Sequence, residues 1–424
     1  MRYASTRGDG EVSFSEALAA GLAADGGLYV PTAWPSFTSR TAPATLPEVA
    51  ASLLQPFIAD DPLQPDLAAI TEEAFSFPAP LVSLGDEPTQ LLELFHGPTA
   101  AFKDFGARFV AACLSRARRE RPLHILVATS GDTGGAVAAA FHKRPGVRVS
   151  VLFPKGLVSP AQERQLTCWD DNVRSLAVRG TFDDCQALVK AAFADKEMRS
   201  RYDLSSANSI NVGRLLPQMT YFALTSLAIW NVHRAPASFV IPSGNLGHAT
   251  ACVWARRVGL PIGEIVLAHN RNRTMPDYLE SGVWRPRASV ATLASAMDVG
   301  DPSNGERLRH LFPDLAAMRG ALTAYAIDDD AIRSRIRTGW EKYGQIWCPH
   351  TATAAEAHAL HMARGGEGRW TIVATANPAK FPEIVEPLLG RTIPVPNSLA
   401  ALFDRPSQVT EIEPDLSALR RAVA

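Results

Sequence analysis

A chain of 424 residues, 46% hydrophobic and 20% charged, can bury more than one core, which predicts two or three domains. A formal net charge of -1 excludes the polybasic footprint of a nucleic-acid binder and the charge excess of a disordered chain. No apolar run approaches the roughly 20 residues that cross a bilayer, and the opening "MRYASTRGDGEVSF" has no apolar signal-peptide core, so the expectation is a cytoplasmic protein without membrane contact.

The first stretch, to about residue 90, carries helical patterns at "SFSEALAAGLA", "LPEVAASLLQPFI" and "DLAAITEEAFS", joined by proline-rich connectors such as "FPAPLVSLGDEP". This predicts a small helical domain and a linker. The run after Lys103, "DFGARFVAACLSRARRE", repeats apolar residues at Phe105, Phe109, Val110, Cys113 and Leu114, the spacing of a helix that starts at the lysine. From about 120 onward "HILVA", "RVSVLF", "VRSLAV", "SFVIP", "EIVLAHN" and "WTIVATA" alternate with helical patterns, the rhythm of a doubly wound, mostly parallel α/β fold. The tail, "TIPVPNSLAALFDRPSQVTEIEPDLSALRRAVA", ends in a short amphipathic helix expected to pack on the body. Five scattered cysteines (Cys113, Cys168, Cys185, Cys252, Cys348) show neither CxxC nor paired-histidine spacing and read as reduced, mostly buried thiols, with no metal site implied.

Two strand patterns run straight into glycine-rich turns that open helices: "HILVATSGDTGGAVAAAF" at 124–141 and "SFVIPSGNLGHATACVWARRVG" at 238–259. Backbone N–H groups at such a helix start, with the helix dipole, bind an anion. Neither turn fits GxGxxG, and GxxxxGK[ST] is absent, which removes the usual evidence for dinucleotides and nucleoside triphosphates. Glycines that merely let helix and strand pack closely would give the same pattern at one turn; two turns rich in Ser, Thr and Asn favour cradles. A third strand end, "WTIVATANPAKFPEIVEPLL", sets Thr375 and Asn377 before a helix, either as a helix cap or facing the same crevice.

Of 42 basic residues only seven are lysine, and Lys103 (between Phe102 and Phe105) and Lys380 (in "ANPAKFPEI") sit in unusual company. At a helix start, among aromatics, both the dipole and desolvation disfavour the charged ammonium, which is how a lysine becomes an imine former. The other reading is a stem packed on aromatics with its head in water or on Asp104. A reactive lysine, a cradle for one phosphate and no dinucleotide motif point to pyridoxal phosphate. Lys103 would supply the amine, "SGNLG" the phosphate site and Thr375 the ring contact. In "SANSINVGRLLPQ", Asn208, Ser209 and Arg214 cluster at the start of a long apolar run, where an arginine suits a substrate phosphate as well as a surface salt bridge.

Nearly end to end the chain resembles the threonine synthase family, of fold type II, through "STRG", "GLAADGGLYVP", "FHGPTAAFKDFGARF", "ATSGDTGGA", "NSINVGRLLPQ", "AMDVGDPSN", "PHTATA" and "ATANPAKFP". The resemblance implies two mostly parallel α/β domains with a small N-terminal helical domain: residues 1–90 N-terminal, 91–113 and 225–395 large and cofactor-binding, 114–224 small, and 396–424 a tail on the body. It implies conversion of O-phospho-L-homoserine and water to L-threonine and phosphate by a lyase, with a phospholyase releasing a 2-oxo acid, or a non-catalytic ligand-binding relative, as alternatives. Lys103 would carry pyridoxal 5'-phosphate as a Schiff base. Gly244, Asn245, Leu246, Gly247 and His248 would hold the cofactor with Asp132, Thr133 and Thr375, while Thr129 and Ser130 join Asn208, Ser209 and Arg214 in binding substrate. The N-terminal extension resembles the microbial branch, which implies a monomer. His248 replaces an acidic or amide residue of the family pattern, and Asn377 stands where the family commonly reads "AHPAKF".

Overall fold

The structure, a computed structural model, describes residues 1–8, 10–41, 45–85, 88–117, 121–129 and 131–423. Near the start, β1 (Tyr3–Ser5) pairs antiparallel with β2 (Glu11–Val12) and β3 (Tyr29–Pro31). This small sheet was not legible in the helical periodicity. Three helices follow the expected runs: α1 (Phe14–Ala20), α2 (Leu46–Leu54) and α3 (Leu67–Ala74). Ser13 and Thr45 begin the first two with capping boxes, each exchanging hydrogen bonds with a glutamate three residues on, Glu16 or Glu48.

The body is built on two sheets. One is formed by β4 (Leu81–Ser83), β5 (Gln90–Glu93), β10 (Ala237–Pro242), β11 (Ile262–His269), β12 (Thr323–Ala326) and β13 (Arg369–Ala374), in the order β12-β11-β10-β13-β5-β4, all parallel except the β4 edge. The other contains β6 (Leu123–Ala128), β7 (Val147–Pro154), β8 (Val173–Val178), β9 (Asp203–Ser205) and β14 (Thr410–Ile412), in the parallel order β14-β8-β7-β6-β9. The chain leaves the first sheet after β5, builds most of the second, and returns at β10. Two details depart from the expected boundaries: β4 lies before residue 90 yet edges the first sheet, and the tail contributes β14 to the second sheet besides its packing helix Leu416–Val423.

Every residue of β6 and β10 is buried, which is why these strands read as unbroken apolar runs rather than alternating ones. Helix α4 (Lys103–Arg116) follows β5, and α5 (Asp132–Phe141) follows β6; the two pack together, with α3 against α4. All five cysteines are buried free thiols. Among the described residues no helix is long and apolar enough to cross a membrane.

One buried side chain ties the N-terminal part to the body. The Arg307 guanidinium, fully buried, donates from Nε to Tyr29 O (3.0 Å), from Nη2 to Ile210 O (2.7 Å) and from Nη1 to Asn304 Oδ1 (2.6 Å). Removing it withdraws all three hydrogen bonds from these acceptors. Arg307→Ala is expected to lower the unfolding free energy by about 3–5 kcal/mol, measured by urea denaturation.

Candidate active site

The C-terminal ends of both sheets open onto one cavity of about 1140 Å³, the place where open α/β sheets collect ligands. Its head is set by a backbone ladder. Leu94 N donates to Ala374 O (2.9 Å), Phe102 N to Thr375 O (2.8 Å) and Asn377 N to Ala100 O (3.0 Å), and Ala101 bridges Ala376. The segment before α4 is thereby stitched to the end of β13, which places Lys103 and Thr375 on the same cavity wall.

Lys103 is the first residue of α4, partly buried, and its side chain makes no hydrogen bond or ion pair to another described residue. Burial pushes its ammonium down to about 8; Asp132 opposes that shift, while Arg214 and Lys380 add to it. A substantial neutral fraction near neutrality is what an imine-forming lysine needs. The asymmetry with the other candidate is complete: Lys380 is fully buried, 2.7 Å from Asp132 Oδ1, and donates to Thr99 O (3.0 Å).

Across the cavity, the residues Gly244, Asn245, Leu246 and Gly247 wrap the start of the helix Gly247–Arg257. None of their four amide N–H groups has an acceptor among the described residues. Leu246 holds φ at 60°, the left-handed region that a branched side chain rarely adopts, and so turns the chain into the cradle. The cradle is braced from behind: Asn245 Nδ2 donates to Ser209 Oγ (2.6 Å), Ser303 N to Asn245 Oδ1 (2.6 Å), and Asn304 Nδ2 to the carbonyls of Asn245 (3.1 Å) and Ser209 (3.2 Å). Open amides at a helix start form an anion site of one-phosphate size.

At the second turn, Thr129 Oγ1 accepts from the amides of Gly131 and Gly134 and donates to Gly131 O, each at 3.0 Å. Its hydroxyl is thus committed to shaping the turn rather than to a ligand. Gly131, at φ 147°, is tight against the Gln162 side chain, which a Cβ would strike. The amides of Asp132 and Thr133 remain without acceptors among the described residues. Burial works to raise the Asp132 carboxyl, but the charges of Lys380 and Lys103 hold it below the usual carboxylate range. Ser130 lies outside the described residues.

Asn208 donates to Ala128 O (3.3 Å), and Arg214 is buried, with Nη1 on Ala207 O and Nε unpartnered. Both line the cavity with Ser209. His248 lines the cavity. Its ring stacks on Phe102 (4.4 Å, 17°), and both ring nitrogens are buried without a partner among the described residues. Burial pushes it down to about 3, so the ring is neutral. Two residues escaped sequence reasoning although their motifs were in view. His350, in "PHTATA", lines the cavity and accepts from Ala296 N at Nε2 (3.1 Å), and Asn304, in "AMDVGDPSN", braces the cradle. Spacing alone carried no signal for either role. Asn377 caps the short turn Pro378–Lys380, its side chain accepting from Ala379 N.

A lysine free to form an imine, a one-phosphate cradle and a hydroxyl at the end of β13 fit pyridoxal phosphate. The family model described as "Pyridoxal-phosphate dependent enzyme" matches residues 83–376, and the chain belongs to that class, with pyridoxal 5'-phosphate as its cofactor. The models for the threonine synthase N terminus and C-terminal part match residues 2–75 and 351–423. Threonine synthase of Escherichia coli is 39% identical over 97% of this chain and 96% of its own. The crystal structure of that species' enzyme superposes with a TM-score of 0.92 at 38% identity, covering 99% of both chains. The pyridoxal-phosphate-bound threonine synthase of Brucella melitensis gives 0.91 at 35% identity, covering 100% of this chain and 98% of its own. The chain belongs to the threonine synthase family and has its fold type II architecture.

Because Lys380 is locked to Asp132, it cannot replace Lys103. Lys103→Ala is expected to abolish covalent attachment of the cofactor, read as loss of borohydride-fixed cofactor on tryptic peptides; fixation on the peptide of Lys380 would overturn the assignment. Because the ring packs on Phe102, His248→Phe is expected to keep the fold and cofactor binding, as followed by urea denaturation and cofactor absorbance; loss of cofactor binding would make the imidazole nitrogens a cofactor contact.

Proposed function

We propose that this chain converts O-phospho-L-homoserine and water to L-threonine and phosphate, a β,γ-elimination and replacement catalysed by a lyase acting on a phosphate ester. The observation that carries the reading is the unpaired Lys103 at the head of α4, facing the cavity that the open amides of Gly244–Gly247 also line. Pyridoxal phosphate, when bound, supplies the electron sink for the carbon that bears the substrate's amino group. Lys103 would hold the cofactor through its amine, and that same amine is placed to take the α proton and to serve proton transfer at the β carbon. The Gly244–Gly247 amides hold the cofactor's phosphate. The amides of Asp132 and Thr133 receive the substrate carboxylate.

Thr375 offers the pyridine nitrogen a neutral hydroxyl and not a carboxylate. A partner of that kind does not force the ring nitrogen to stay protonated, which moderates the sink and favours elimination over transamination. Arg214, with Asn208 and Ser209, holds the leaving phosphate, because a guanidinium gives a dianion paired, charge-assisted hydrogen bonds that hydroxyls do not match. Burial pushes the Arg214 guanidinium down to about 10, so it is still a cation at neutral pH. The resemblance of the N-terminal part to the microbial branch supports a monomer, and we place its work in the cytoplasm.

Removing a charged partner from a buried site costs about 3 kcal/mol, so Arg214→Ala should lower kcat/KM for O-phosphohomoserine by about two orders of magnitude. Cofactor binding should survive, because its phosphate sits in the separate Gly244–Gly247 cradle. Threonine and 2-oxobutyrate are measured together. Mainly 2-oxobutyrate from wild type would make the chain a phospholyase, and near-normal kcat/KM in Arg214→Ala would place the leaving phosphate elsewhere.

A further inference from the structure

The candidate carboxylate site contains a contradiction. The open amides of Asp132 and Thr133 attract an anion, yet the first of these residues carries a carboxylate of its own, buried to 5% exposure. A bare aspartate at that helix start would repel a substrate carboxylate and attract a cation, most directly the ammonium of Lys103. What prevents this is the second buried lysine. Lys380 Nζ lies 2.7 Å from Asp132 Oδ1 with no exposed surface, and Gln162 Nε2 donates to the same oxygen (3.3 Å).

Lys380 reaches Asp132 from the opposite sheet. It ends the short turn Pro378–Lys380 that follows β13, whereas Asp132 opens α5 after β6. Its ammonium also donates to Thr99 O (3.0 Å), which accepts as well from Gln165 Nε2 (3.2 Å). Thr99 is itself held by Asp104, whose carboxylate accepts from its amide (2.9 Å) and hydroxyl (2.6 Å). The charged and titratable groups facing the pair are Lys103 and Asp104 on α4, His350 on the helix Pro349–Ala363 and Cys348 at that helix's cap, with Arg214 beyond Lys103.

We propose that Lys380 is a positioning residue that cancels the charge of Asp132 across the cleft floor, leaving the start of α5 open to the substrate's carboxylate and Lys103 free of an ion pair. The proposal rests on the reading of that turn as the carboxylate site. It assigns Lys380 no contact with substrate or cofactor. Its effect on Lys103 has a definite sign: the Asp132 anion favours the protonated amine at Lys103, and the Lys380 cation disfavours it.

Three variants of the cofactor-loaded full chain test this: Lys380→Met, Asp132→Asn and the double variant. Two quantities are read, the pH at which the bound cofactor's absorbance titrates between pH 6 and 10.5, and KM against kcat for O-phosphohomoserine. Lys380→Met bares the Asp132 anion, so its titration should move to higher pH and KM should rise about tenfold or more. Asp132→Asn bares the Lys380 cation, so its titration should move to lower pH. In the double variant both charges are gone, and the titration and KM should return close to wild type. A buried pair removed whole is often tolerated where one removed partner is not. If Lys380→Met fails to fold, Asp132→Asn and the double variant carry the test, with the first titrating below wild type and the second near it. Shifts of the two single variants in the same direction, or a double variant with KM no better than Lys380→Met, would overturn the proposal and leave the pair a structural tie. The titration involves no substrate, so threonine formation by wild type tests the proposed reaction separately.

Discussion

The site depends on a few backbone hydrogen bonds that stitch the segment before α4 to the end of β13. Strand β5 already lies beside β13 in the sheet, and the ladder continues past the strands through Leu94–Ala374, Phe102–Thr375 and Ala100–Asn377. Two paired parallel strands would normally part at their C-terminal ends. By continuing the pairing, the fold converts two loops into a rigid wall and puts a lysine, a threonine and a helix start within one cavity. The cost is visible at Ala100, held at φ 52° to complete the turn.

That wall faces two helix starts whose amides are open, one from each sheet. The arrangement separates two anions by topology: the Gly244–Gly247 cradle belongs to the sheet that carries Lys103, whereas α5 belongs to the other. A substrate bound through its carboxylate at α5 would lie across the cleft from a phosphate held by the first cradle, with Lys103 lining the same space. Burial does the electrostatic tuning. It pushes Lys103 down to about 8 and Asp104 up to about 6, so a proton on either group is weakly held to one state near neutrality.

How much of this could be read from residues divides by length and burial. The six strands read from the sequence all exist, because a parallel strand covered on both faces must be apolar throughout, and the N-terminal helices were marked by their period. The strands of two to four residues, β1 to β5, β9, β12 and β14, carry too few side chains for a period to emerge, and their pairing is set by neighbours far away in the chain. Among site residues, glycine turns and an isolated lysine are chemical outliers in sequence and were legible as such. The commitments of Thr129 Oγ1 to its own turn and of Asp132 to Lys380 were not, since they depend on which atom faces inward. His248 shows the same limit: its position after the cradle places it on the cavity, and only packing shows its ring stacked on Phe102.

The two departures from the family pattern bear on different layers of the site. His248 fills space between aromatic rings, with Tyr221 edge-on at 5.6 Å and Phe222 at 5.2 Å besides the stacked Phe102. Phe102 in turn precedes Lys103, so this imidazole packs against the wall that carries Lys103. Asn377 acts at the other end of the ladder. Its amide donates to Ala100 O and its side chain accepts from Ala379 N, which closes the turn that ends at Lys380. An amide oxygen suits that cap because it accepts without bringing a charge into a site already holding Lys103, Lys380, Asp132 and Asp104. The placement of the Lys380–Asp132 pair thus begins with an uncharged cap two residues after Thr375.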